Sequence, residues 1–157
     1  MQKITPFLWF DGKAAEAIKL YTSVFKNSKI IKISYWDKGS PFPESQVMTG
    51  VFELDGQKFY AFDAGPQFKF TEAISFFVNC ETQEEIDHFW NKLTADGGEE
   101  SMCGWLKDKF GVSWQIVPPI LGEMLTDKDK AKAGRVMQAM MGMKKLIIAD
   151  LKKAYNG

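Results

Sequence analysis

Residues 103–118 read CGWLKDKFGVSWQIVP, and their pattern decides the fold. Two strands are predicted, over 103–106 and 112–117, joined by a polar reversal through Lys107, Asp108, Lys109 and Gly111. Gly111 supplies the positive φ that a tight reversal demands and that residues with a Cβ resist. Side chains alternate along a strand, so Val112, Trp114 and Ile116 fall on one face and Ser113, Gln115 and Val117 on the other. A hydroxyl and an amide within so apolar a strand mark the second face as something other than ordinary core. A cleft wall is the expectation.

Working outward, the same alternation of strand and helix fills the chain. Residues 4–10 (ITPFLWF) read as a strand with Pro6 at its start or at a sheet edge, since proline donates no ladder hydrogen bond. Ala14, Ala17, Ile18, Tyr21 and Phe25 make a helical stripe over 13–25. A strand over 30–36 and a loop broken by Gly39, Pro41 and Pro43 follow. Strands over 47–54 and 58–63 flank Asp55-Gly56, a two-residue hairpin signal. Residues 73–78 (AISFFV) then restart the pattern. A helix over 82–95 opens on a capping box of Thr82 and Glu85 and stops at Gly97-Gly98. An offset of 68 residues lays Leu8 on Phe76, Phe10 on Val78, Ile18 on Ile86 and Tyr21 on Phe89. That match in polarity and spacing predicts an internal duplication, which governs the whole fold. Beyond Pro118-Pro119, two amphipathic helices are expected over 128–141 and 144–155, rich in Met and Lys.

Composition bounds the function. The 157 residues are 45% hydrophobic and 14% aromatic, enough for a sizeable core. Twenty basic residues balance twenty acidic ones, so no net field gathers nucleic acid or an anionic membrane. No basic leader and no apolar run of ~18 residues stands in the sequence, so neither a signal peptide nor a membrane span is expected. Two cysteines, Cys80 and Cys103, make no disulfide framework and are read as free thiols of a cytoplasmic protein.

With two βαβββ-like halves, the chain resembles the vicinal-oxygen-chelate superfamily, which includes glyoxalase I, extradiol dioxygenases and bleomycin-resistance proteins. More closely it is similar to the PhnB-like branch, often labelled a demethylubiquinone methyltransferase family. PFLWFDGKAAEAIKLY at 6–21, VMTGVFELDGQKFYAFDAG at 47–65, CGWLKDKFGVSWQIVP and the tail GRVMQAMMGMKKLIIADLKKAY carry the resemblance. It implies an α+β protein of two βαβββ modules (1–66 and 67–118), each curling a small mixed sheet around a cleft, and a helical C-terminal extension (119–157). It also implies a homodimer.

Metal-using members of the superfamily place His and Glu ligands on inward strand faces. Carried over, those positions fall on Thr5 in the first strand and Gln115 in the last, with Ser75 on the corresponding face of the fifth strand. Hydroxyl and amide groups are poor zinc or iron ligands, and the single histidine, His88, belongs to a helix. A metal-free cleft without cofactor is therefore expected. Phe7, Trp9 and Trp105 share the inward faces and would give aromatic walls for an apolar or aromatic ligand. Asp63 is the only acidic candidate, as a general base or as a turn-capping carboxylate. Gln115 has two readings, a ligand-holding amide or a core amide bonded to nearby backbone. The leading reading is a small-molecule-binding protein with no assigned reaction. An enzyme acting on a quinone-like molecule and a metal-dependent lyase or dioxygenase are the other two. No glycine-rich phosphate loop supports a nucleotide site.

Overall fold

A computed structural model describes residues 2–157 as two compact units, 2–69 and 70–157. In the first, β1 (Phe7–Phe10), α1 (Ala14–Val24), β2 (Lys29–Tyr35), β3 (Val47–Leu54) and β4 (Gln57–Asp63) build a four-stranded sheet of order β1-β4-β3-β2. β1 runs parallel to β4, and the other pairs are antiparallel. β1 is an edge strand and begins just after Pro6, whose carbonyl accepts from the Tyr60 N–H at 2.9 Å. The β3–β4 turn holds Asp55 at φ +46° and Gly56 at φ +76°, the twist that a two-residue hairpin requires.

Four residues of the stripe read from the sequence, Ala14, Ala17, Ile18 and Tyr21, are buried on α1, but its last buried position is Val24, and Phe25 is instead the half-buried C-cap. The helix covers the sheet face that carries Leu8, Phe10, Phe52, Leu54, Phe59 and Ala61, all buried. Gly50 lets the helix approach, because a Cβ there would stand 2.5 Å from Ile18 Cδ1.

The second unit repeats the plan. β5 (Phe76–Asn79), α2 (Gln83–Thr94), β6 (Glu99–Glu100), β7 (Trp105–Lys107) and β8 (Ser113–Val117) give the order β5-β8-β7-β6, again with a parallel first pair. Thr82 caps α2 by accepting from the Glu85 N–H at 3.2 Å, and the Glu85 carboxylate accepts from the Glu81 N–H at 2.8 Å. Ile86, Trp90 and Leu93 bury against the face of Leu106, Trp114 and Ile116. The two isoleucines brought together by the 68-residue offset, Ile18 and Ile86, are both fully buried helix residues.

Three readings of the sequence are corrected in this unit. β6, a strand that the βαβββ resemblance implies, is missing from the reading of the residues themselves, because its two glutamates give no apolar alternation. The tail holds three helices rather than two: α3 (Pro119–Leu125), α4 (Lys130–Met141) and α5 (Ile148–Asn156). Pro119 is tolerated because the first helical position needs no N–H donor. Residues 144–147, expected as helix, are not helical. Val117, Leu121, Met124, Val136, Leu146 and Leu151 form a second small core under these helices. Arg135 locks its rim by donating to the carbonyls of Ala154 and Tyr155 at 2.9 Å each. Among the described residues no helix is long and apolar enough to cross a membrane.

Candidate functional site

Each sheet turns one face to its helix and the other away from it, and the predicted site residues divide between these faces. In the first unit Phe7 and Trp9 alternate with the buried Leu8 and Phe10, so they project from the face turned away from α1. Their β4 neighbours there are Tyr60 and Phe62. The rings form a continuous edge-to-face row. Phe7 meets Phe62 at 5.0 Å between centroids and Trp9 meets Phe62 at 4.8 Å, both near perpendicular, and Trp9 meets Phe68 at 5.0 Å. The Trp9 indole is fixed by donating to the Gly65 carbonyl at 2.8 Å. Phe7 and Phe68 stay 58% and 66% exposed, so the row is an aromatic surface and not a sealed core. Thr5 lies before β1, half-buried.

Asp63 sits on the opposite face and is 1% exposed. One carboxylate oxygen accepts from the Ala14 N–H at 3.0 Å and the other from the Val47 N–H at 2.8 Å. It thus caps α1, whose own N-cap residue Lys13 provides no side-chain bond, and pins the start of β3. Its carbonyl accepts from the Trp36 indole at 2.9 Å. Asp63, read from the sequence as a general base or a turn-capping carboxylate, has its carboxylate engaged by two backbone N–H groups. A carboxylate is stable at that depth because both oxygens are bonded, and this engagement holds it away from Phe7 and Trp9.

In the second unit Ser75 and Gln115 come together, the Gln115 amide donating to the Ser75 hydroxyl at 2.8 Å. Gln115 pairs with Trp105 on one side and with Phe77 on the other, so these side chains stand next to it on the face turned away from α2. Phe77 is 54% exposed. Among the described residues the Gln115 side chain makes no further hydrogen bond, which leaves its carbonyl oxygen and one N–H for a partner. Ser113, on the same strand and of the same parity, is buried with its hydroxyl unpaired. Lys107, opposite Ser113, is committed to Glu72 at 3.1 Å and Glu99 at 3.4 Å. Its hydrogen bond to Glu72, reinforced by the charges of both glutamates, raises its pKa.

Asp108, which the sequence suggested only as a turn residue, organises the β7–β8 reversal. It accepts from the Phe110 and Val112 N–H groups at 2.9 and 3.0 Å and from the Trp114 indole at 2.9 Å. Cys80 is fully buried, and desolvation, with a smaller contribution from Glu85, pushes its thiol up to about 12. A thiol held protonated in this way is no nucleophile. His88 is exposed on α2. Among the described residues no three His, Cys, Asp or Glu side chains gather as a metal-binding group.

Sequence reasoning missed Phe77, Tyr60, Phe62 and Phe68. Phe77 was within reach, since it stands in β5 two residues after Ser75, and Tyr60 and Phe62 alternate with the core residues Phe59 and Ala61.

Two four-stranded sheets of the order 1-4-3-2, each with a helix on one face, define a protein of the vicinal-oxygen-chelate class. The sequence model of the 3-demethylubiquinone-9 3-methyltransferase family matches residues 2–117, and this chain belongs to that family, the PhnB-like branch of the class. A Bacillus cereus PhnB protein described as a 3-demethylubiquinone-9 3-methyltransferase is 45% identical, with a TM-score of 0.71 over 74% of this chain and 99% of that one. A Pseudomonas aeruginosa protein of 22% identity has a TM-score of 0.63, over 75% of this chain and 98% of that one. The fosfomycin resistance protein FosX of Listeria monocytogenes shares the fold at 17% identity and a TM-score of 0.54, over 80% of this chain and 98% of its own. Another FosX structure is complexed with Mn(II) and dihydroxypropylphosphonic acid. Among curated proteins none matches this chain.

Proposed function

We propose that this chain is a small-molecule-binding protein whose ligand, apolar or aromatic with a polar head, is held by Gln115 and Ser75 beside Trp105 and Phe77. The observation that carries the reading is the 2.8 Å hydrogen bond from Gln115 to Ser75, which orients an amide with unused donor and acceptor capacity between two aromatic side chains. An amide in that setting gives direction to a ligand's carbonyl or hydroxyl while the rings supply apolar contact. The aromatic row of Phe7, Trp9, Phe62 and Phe68, with Thr5 beside it, offers the same ligand chemistry in the first unit.

The metal used by other members of the class does not fit the donor set here. Thr5, Ser75 and Gln115 offer hydroxyls and a neutral amide where imidazole or carboxylate would be needed. No step is assigned to a metal. Binding is favoured over turnover because the one acidic candidate, Asp63, has both oxygens committed to backbone N–H groups. We further propose that the protein acts as a homodimer in the cytoplasm, with no nucleic-acid or membrane partner. The equal counts of acidic and basic residues support the absence of a nucleic-acid or membrane partner, the two free thiols support the compartment, and family membership supports the dimer.

Native mass spectrometry of the purified protein tests the reading. A small-molecule adduct that dissociates on denaturation and is lost in Gln115→Leu is expected. An adduct retained in that variant would move the site elsewhere.

A further inference from the structure

We infer that residues 143–148, the segment joining α4 to α5 together with the first residue of α5, are a strap that positions Trp105 beside Gln115; this rests on the reading of that face as the ligand face. The strap is held from two sides. On one, the Cys103 N–H donates to the Met143 carbonyl at 2.7 Å and the Gly104 N–H to the Lys144 carbonyl at 2.8 Å. On the other, α2 grips it through Gln83 and Asp87. The Gln83 amide donates to the Leu146 carbonyl at 3.1 Å and accepts from the Ile148 N–H at 2.9 Å, as a neighbouring strand would. Lys145 adds an ion pair to Asp87 at 2.7 Å, and Asp87 also accepts from Gln83 at 3.2 Å.

What the strap holds is an otherwise unfavourable backbone. Cys103 has φ +59° and Gly104 φ +84°, two successive left-handed residues of which the first is not glycine. A side chain with a Cβ resists this conformation, so it persists where surrounding contacts over-determine it. Those contacts are the two strap carbonyls and Leu146, which is fully buried and so close that a Cβ on Gly104 would stand 3.0 Å from its Cδ1. Trp105 is the next residue, and its pairing with Gln115 begins at once: the Ile116 N–H donates to the Gly104 carbonyl at 2.8 Å. The strap therefore sets the entry of β7 and, through it, the placement of the Trp105 ring. Its residues lie beyond those matched by the family's sequence model, so the brace is built onto the module from outside it. Gln83 is a positioning residue in this scheme and touches no ligand.

Amide hydrogen exchange and NMR on the full, ligand-free chain test the inference. In the unaltered protein the amides of Cys103, Gly104 and Ile148 should share one opening rate. Gln83→Leu should accelerate exchange at Cys103 and Gly104 by about tenfold or more. It should also shift the Trp105 indole and Gln115 side-chain resonances, assigned with Trp105→Phe and Gln115→Leu, while the Trp9 indole stays in place. Gln83→Glu, which keeps the acceptor for Ile148 but loses the donor, should lie between the two. Faster exchange with unmoved Trp105 and Gln115 signals would reduce the strap to a stabiliser and overturn the proposal. Independent opening rates in the unaltered protein would overturn it even if Gln83→Leu does not fold. None of these readouts uses a ligand. A titration with 4-hydroxyacetophenone that leaves the Gln115 amide unshifted tells against the binding reading alone.

Discussion

Ser75 and Gln115, 40 positions apart, meet through a 2.8 Å hydrogen bond where β5 lies parallel to β8. The bond ties an amide from the last strand of the second unit to a hydroxyl just ahead of its first. It fixes the amide plane, and a fixed amide recognises a ligand with less entropic loss than a free one.

Asp63 predicts a stability effect in the first unit. Asp63→Ala leaves the Ala14 and Val47 N–H groups buried without acceptors, and an unsatisfied buried donor costs about 1–3 kcal/mol. Asp63→Asn keeps one acceptor and should lose less. Urea unfolding followed by fluorescence checks both, and a midpoint unchanged in Asp63→Ala would contradict the capping role.

Gly104 predicts another. Alanine there must adopt φ +84° and places its Cβ 2.9 Å from the Ile116 carbonyl oxygen. The left-handed conformation alone costs about 1–2 kcal/mol. Gly104→Ala should lower the Tm by several degrees, at about 2–4 °C per kcal/mol for a chain of this size. A wild-type melting curve from this variant would show that the β7 entry tolerates a side chain.

Cys80 predicts a pH dependence. Its thiol is raised from the ordinary 9.0 to about 12 by burial, so the folded state keeps the proton that the unfolded state releases. The stabilising contribution is full below pH 9 and is lost as pH rises from 9 towards 12. Melting temperature should fall over that window, and Cys80→Ala should flatten the fall. In the native protein at pH 8, a disulfide reagent should leave Cys80 unmodified; rapid labelling there would contradict its burial.

The dimer is checked by light scattering. A mass of twice the 17.8 kDa chain at micromolar concentration is expected, and a mass of one chain throughout would contradict it.

The repeat was legible in the sequence because apolar spacing records both helix stripes and strand parity. Ile18, Ile86, Trp114 and Ile116 all lie where that spacing puts them. Parity also set Gln115 on the same face as Trp105. Other features leave no periodic trace. Glu99–Glu100 pairs with β7 through backbone alone. Leu146 and Ile147 among lysines read as helix, but the carbonyls of residues 143, 144 and 146 find better partners in Cys103, Gly104 and Gln83 than in one another. Asp63 looked available because its two donors, Ala14 and Val47, are remote in sequence.

The central claim is tested most directly by a paired titration and melt of Gln115→Leu against the unaltered protein, with 4-hydroxyacetophenone as probe. The substitution removes the donor and acceptor at similar bulk, and water can satisfy the half-exposed Ser75 hydroxyl. Affinity should weaken by about 1–3 kcal/mol, because a buried polar group on the probe would lose its partner. Melting temperature should stay within about 2 °C, since less than 1 kcal/mol of stability is at stake. Unchanged affinity with a lowered melting temperature would make Gln115 a core amide and contradict the account.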